Sequence, residues 1–145
     1  MSAPLIRPAL RAADRERCYA IRIAVFVDEQ RIPIEEEIDD LDETVAHHVL
    51  LFDGEEPVAT ARGYARGRTA RIGRFAVLPE GRGKGFGAAL VAHLIGWART
   101  GDFDEITLDA QVGVMPLYEK FGFRAEGPEF DDGGIPHRLM RLPLR

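Results

Sequence analysis

The residues with the richest chemistry lie between Arg71 and Trp97. Gly81, Arg82, Gly83, Lys84, Gly85, Phe86 and Gly87 follow a short apolar run, Ile72 to Leu78, that Pro79 closes. Glycines at such a junction let backbone approach a ligand closely. Phe86, Leu90, His93, Leu94 and Trp97 recur at helical spacing, so a helix starts at Gly85 or Phe86. The free N–H groups and the dipole of a helix start favour an anion, typically a phosphate. The amides of Arg82, Gly83, Lys84, Gly85, Phe86, Gly87 and Ala88 are the candidates to hold it. The side chains of Arg82 and Lys84 add positive charge beside them.

Three kinds of phosphate loop share this look. A Walker loop needs Ser or Thr after its lysine, and Gly85 follows Lys84, so that reading fails. A dinucleotide fingerprint is nominally met by Gly83, Gly85 and Ala88, with Asp109 downstream. It wants its first glycine directly after the strand, whereas Pro79 to Arg82 intervene. The third pattern is Arg/Gln-x-x-Gly-x-Gly/Ala, filled by Arg82, Gly85 and Gly87. It resembles the coenzyme A pyrophosphate loop of the GCN5-related N-acetyltransferase (GNAT) superfamily. Tyr118-Glu119-Lys120-Phe121-Gly122-Phe123 resembles that superfamily's second signature. Phe26-Val27-Asp28-Glu29-Gln30, the acidic segment after it, and Asp132 to His137 resemble its ElaA/YjcF-like branch.

The resemblance implies acetyl transfer from acetyl-CoA to an amine, with no metal. It implies main-chain contacts from Phe75, Ala76 and Val77 to the pantetheine arm, and a donor-holding role for Gln111. It places Tyr118 where the family's general acid stands. A free thiol has a pKa of about 8.5 and a tyrosine about 10, so a phenol can donate to the leaving thiolate. Many relatives carry a glutamate base on the strand before the loop. That position is Arg71 here, and an arginine stays protonated at neutral pH. Glu29, His137, His47 and Asp109 remain as candidate bases, and histidine exchanges a proton near neutral pH. His47 and His48 are adjacent, so on a strand they face opposite ways and cannot chelate together; no metal-ligand spacing occurs elsewhere. The absent glutamate keeps a second reading open, a non-catalytic acyl-CoA-binding regulator. A dinucleotide-binding module is a third.

These residues need elements to position them. Leu5 to Leu10 reads as an edge strand, Asp14 to Val27 as a helix, and Ile34 to Ile38 as a short one. Ala46 to Phe52, Pro57 to Tyr64 and Thr69 to Leu78 read as three antiparallel strands joined at Asp53-Gly54 and Arg66-Gly67-Arg68. The loop helix ends near Gly101, a suitable C-cap. Glu105 to Gln111 follows as a strand parallel to Ile72–Leu78 through a right-handed crossover. Val114 to Phe121 reads as a helix, then Phe123 to Phe130 and His137 to Leu142 as a last hairpin. The fold class is therefore mixed α+β. Its mostly antiparallel sheet of about seven strands is flanked by about four helices, in the order the superfamily has.

The totals agree. The 145 residues fit one N-acetyltransferase domain spanning 1–145. A net charge of −5 argues against general nucleic-acid binding. The single cysteine, Cys18, forms no internal disulfide, which suits a cytoplasmic location. The N-terminus lacks the apolar core of a signal peptide, and no apolar run approaches the roughly 20 residues of a membrane span. The acidic run Glu35 to Glu43 is either a solvated surface or a field that draws in a cationic amine acceptor, a small molecule or a protein lysine. A homodimer is compatible with all of this.

Overall fold

The computed structural model describes residues 3–37, 39, 42 and 46–145. Strand β1 (Leu5–Pro8) leads into helix α1 (Ala12–Arg22). This helix does not stop where the apolar pattern predicts. It widens into a π-type extension, Ile23–Glu29, in which Gln30 N–H donates to the Val25 carbonyl at 3.0 Å, five residues back. A short α2 (Ile34–Glu37) follows. Then come β2 (His47–Asp53), β3 (Glu56–Arg66) and β4 (Thr69–Val77). Helix α3 (Phe86–Thr100) leads to β5 (Glu105–Gln111). The second signature forms α4 (Met115–Glu119), shorter than predicted because Val112–Val114 makes a tight turn first and Pro116 lies in the helix's opening turn. Strands β6 (Arg124–Asp132) and β7 (Ile135–Pro143) close the chain.

The seven strands form one sheet in the order β1-β2-β3-β4-β5-β7-β6. Every neighbouring pair is antiparallel except β4–β5, the crossover that α3 makes. Strand β2 is buried on both faces, so it reads as a continuous apolar run. Val49 and Leu51 face α3, while Leu50 and Phe52 face Cys18, Ile21 and Val25 of the first helix. Burial pushes the Cys18 thiol up to about 11, so it stays protonated. Gly101 caps α3 in an extended conformation. It is a glycine because a Cβ there would lie 2.6 Å from the Phe103 ring.

The sheet is split where chemistry is expected. Strands β4 and β5 pair only over Thr69–Arg71 and Glu105–Thr107. Beyond that, β4 continues alongside β3 and β5 alongside β7. The register of β4 slips between the Arg62–Gly73 and Thr60–Ala76 pairs, and Arg74 adopts a left-handed φ of 53°. Such a bulge bends its strand. Here it lies just where pairing to β5 stops.

Candidate active site

The gap between the strands holds a cavity of about 450 Å3, lined from β4 by Arg71, Gly73, Phe75 and Val77 and from β5 by Leu108, Asp109 and Gln111. The N–H of Leu78 bonds to the Val58 carbonyl at 2.8 Å. By the alternation of a strand, Ala76 therefore also turns its backbone to β3, and Val77 turns its own to the gap. The Val77 carbonyl indeed receives Arg82 Nε at 3.0 Å. Of the three predicted arm contacts, Phe75 and Val77 line the cavity. Ala76 is buried in the core on the α1 side and does not.

The glycine loop follows β4 after one tight turn, Pro79–Gly81. Gly83 and Gly85 have φ of 77° and 80°, and a Cβ at either would meet nothing within 4 Å. They are therefore glycines for their left-handed backbone, and the space above them is open. Gly85 caps α3 without a side-chain hydrogen bond, and the first helical bond runs from Ala89 to its carbonyl. The N–H groups of Phe86, Gly87 and Ala88 thus point out of the helix with no intrahelical acceptor. Gly87 lies against Leu117, which lines the cavity, so loop and cavity adjoin. The two cationic side chains are engaged: Arg82 grips Glu29 at 2.6 and 2.9 Å, and Lys84 reaches Asp53 at 2.9 Å.

Tyr118 is buried, lines the cavity and packs its ring 5.8 Å from Phe75. Burial raises its pKa, and its hydroxyl has no hydrogen-bond partner among the described residues. It is thus a protonated phenol with an unused donor. His137 lines the same cavity; its Nδ1 donates to the Ile135 carbonyl at 2.7 Å, which makes Nε2 the ring nitrogen not engaged by that bond. Asp109 lines it as well, paired at 2.9 Å with Arg71, the residue that stands where relatives carry glutamate. Glu29 is not with them. It lies outside the cavity and Arg82 lowers its pKa, so its expected role as a base does not hold. His47 is stacked on Trp97 at 5.1 Å, also outside.

Two members of the acidic run, Glu37 and Asp42, belong to neither of the two surfaces expected, whereas Glu35 and Glu36 are exposed. Asp40 and Glu43 lie outside the described residues. Glu37 and Asp42 are buried, locked to the equally buried Arg22 at 2.9 and 2.7 Å. Arg62 of β3 joins Asp39 and Asp42 at 2.8 and 2.7 Å, and Arg74 from the bulge reaches Glu37 at 3.4 Å. Burial alone would raise the pKa of Asp42, but the bonds from Arg22 hold it at about 2. For Glu37 burial prevails and the pKa is raised. Arg22, Arg62 and Arg74 carried no readable signal as a set, because they lie on three elements far apart in sequence. Among the described residues no group of His, Cys, Asp and Glu side chains forms a metal site.

A bulge-split sheet, an uncapped helix start behind a glycine loop, and a protonated tyrosine at the gap define the architecture of an acyl-group transferase. The acetyltransferase (GNAT) domain family matches residues 14–144, and the chain belongs to that family. Its relatives place it in the ElaA/YjcF-like branch. The uncharacterized N-acetyltransferase YjcF of Bacillus subtilis is 37% identical over 123 residues, 84% of this chain and 87% of its own. The structure of Escherichia coli ElaA superposes with a TM-score of 0.85 at 28% identity, covering 97% of this chain and 99% of that one. An acyl-CoA N-acyltransferase of Pseudomonas aeruginosa gives 0.85 at 26% identity, over 96% and 97%. The dinucleotide-binding reading is thereby overturned. Strand β4 has an antiparallel neighbour on one side and a three-pair contact on the other, and Asp109 is held by Arg71.

Proposed function

We propose that residues 1–145 act as one cytoplasmic N-acetyltransferase domain. It moves an acetyl group from acetyl-CoA to a primary amine within a ternary complex. The observation that carries this reading is the cavity itself. It opens where β4 and β5 part, adjoins the uncapped start of α3, and contains Tyr118 and His137. The pyrophosphate of the donor would lie on the N–H groups of Phe86, Gly87 and Ala88. The arm would run along the open edge of β4, where backbone N–H groups polarise the thioester carbonyl. The amine nitrogen attacks that carbon, the C–S bond breaks, and the thiolate takes the proton of Tyr118. His137 Nε2 accepts the proton that the amine gives up. No metal takes part. Glu36 and Asp132 line the cavity, and neither carboxylate has an ion-pair partner among the described residues, Arg74 bonding only the Glu36 carbonyl at 3.3 Å; this favours a cationic acceptor, a small molecule or a protein lysine.

The test is thiol release from acetyl-CoA with a panel of amines: a polyamine, an aminoglycoside, free lysine and a lysine peptide. Tyr118→Phe should lower turnover by roughly 10²-fold with donor affinity kept. An unchanged rate would return Tyr118 to packing alone. Arg71 in place of the strand glutamate favours one other reading, a non-catalytic acyl-CoA-binding regulator. Tight binding of acetyl-CoA with no thiol release by any amine would select it.

A further inference from the structure

The segment Phe26 to Gln30 resembles its branch, yet the chemistry above uses none of its polar side chains. Gln30 ends the π-type extension of the first helix. Its position is fixed by three backbone bonds: its own N–H to Val25, Arg31 N–H to Val27 at 3.1 Å, and Ile32 N–H to Phe26 at 2.8 Å. Arg31 takes the left-handed φ of 66° that this helix ending requires, without being a glycine. The chain is thereby turned so that Gln30 reaches across the split sheet to Gln111, the last residue of β5, at 2.9 Å. The two residues are 81 positions apart, and both line the cavity.

A glutamine amide has two N–H donors and one carbonyl oxygen. The contact uses one N–H of one residue and the oxygen of the other. One whole NH2 and one whole oxygen are left, on different residues, together with the second N–H of the donating amide, whichever way the two amides face. Neither has another side-chain partner among the described residues. The pair therefore has both a free donor group and a free acceptor to offer at the cavity. That is the complement of a secondary amide, which carries one C=O and one N–H.

We propose that Gln30 is a donor-binding residue, and that the Gln30–Gln111 pair recognises a secondary amide of the pantetheine arm of coenzyme A. The inference rests on the acetyl-CoA reading above. It adds a residue of the first helix to a donor site otherwise built from β4, β5, α3 and α4. It also gives the polar end of that helix a function: it spans the gap and holds Gln111 in place.

The test is titration calorimetry with two ligands, coenzyme A and adenosine 3′,5′-bisphosphate, which has no arm. Gln30→Met should weaken coenzyme A about tenfold, as expected for orphaning a half-buried amide, and leave the bisphosphate unchanged. Gln111→Met should do the same, and the double variant should be little worse than either single one, because the pair acts as a unit. Should Gln30→Met fail to fold, Gln111→Met with Gln30→Asn, one methylene short, carries the same criterion. Equal losses for both ligands, no loss for coenzyme A, or a loss confined to the acceptor's KM would each overturn the proposal. If the unmodified protein binds the bisphosphate and coenzyme A equally, the pair has no role in arm recognition. If it binds neither, the acetyl-CoA reading itself falls.

Discussion

Among the places where a cation meets a carboxylate in this molecule, two have opposite characters. Beneath the acidic segment, Arg22, Glu37 and Asp42 are buried, and Arg62 and Arg74 complete a closed set. At the glycine loop, Arg82–Glu29 and Lys84–Asp53 are single pairs with side chains 42 to 51% exposed. Buried charges must be paired, because removing one partner leaves the other without water. Exposed pairs are screened and cost little to exchange. The first region is therefore architecture, which fixes the acidic segment over the cavity. The second can release its cations when a phosphate arrives.

The strongest way to break this contrast is to remove Arg22. Arg22→Met should cost about 3–5 kcal/mol, since two buried carboxylates each lose their buried partner at once and keep only Arg62 and Arg74. Thermal unfolding should fall by about 10 °C. A near-native midpoint would mean that water replaces the guanidinium and that the network is not structural.

Acid sharpens the same contrast. The folded pKa of Asp42, about 2, lies below its unfolded value of about 3.9. Its contribution of about 2 kcal/mol is fully present above pH 4 and is lost as pH falls through 2. Glu37, raised by burial, works in the opposite sense: the fold gains as it takes up its proton. Denaturant unfolding at pH 7, 4 and 2.5 should show a steeper acid loss in the native chain than in Asp42→Asn.

The smallest effect belongs to the loop. Glu29→Gln should leave the unfolding temperature nearly unchanged and tighten coenzyme A by about two- to threefold, because it removes a negative charge beside the phosphates and frees Arg82. Weaker binding would show that Glu29 positions Arg82 and does not compete for it.

Much of the site was legible before the fold. The left-handed glycines 83 and 85, the helix start at Phe86 and the tyrosine of the second signature are local features, each dictated by a few neighbours in the chain. The succession of strands and helices along the chain followed from hydropathy and turn residues in the same way. What was not legible depends on pairing over distance. The run of acids read as a surface because its arginines come from positions 22, 62 and 74, on three separate elements. Glu29 read as a base because nothing local says that Arg82, 53 residues away, will hold it. Ala76 read as an arm contact because the bulge that sets its facing is a property of the β3–β4 register.

By itself the sequence determined the family, the glycine loop with its helix start and the place of the candidate acid, because backbone conformation and short spacing are set by adjacent residues. Only the tertiary structure decided that β4 and β5 part after three pairs, that the acids are buried with arginines, and that Gln30 meets Gln111. Those outcomes depend on register and burial, which arise when segments distant in the chain compete for the same partners and for the same exclusion from water.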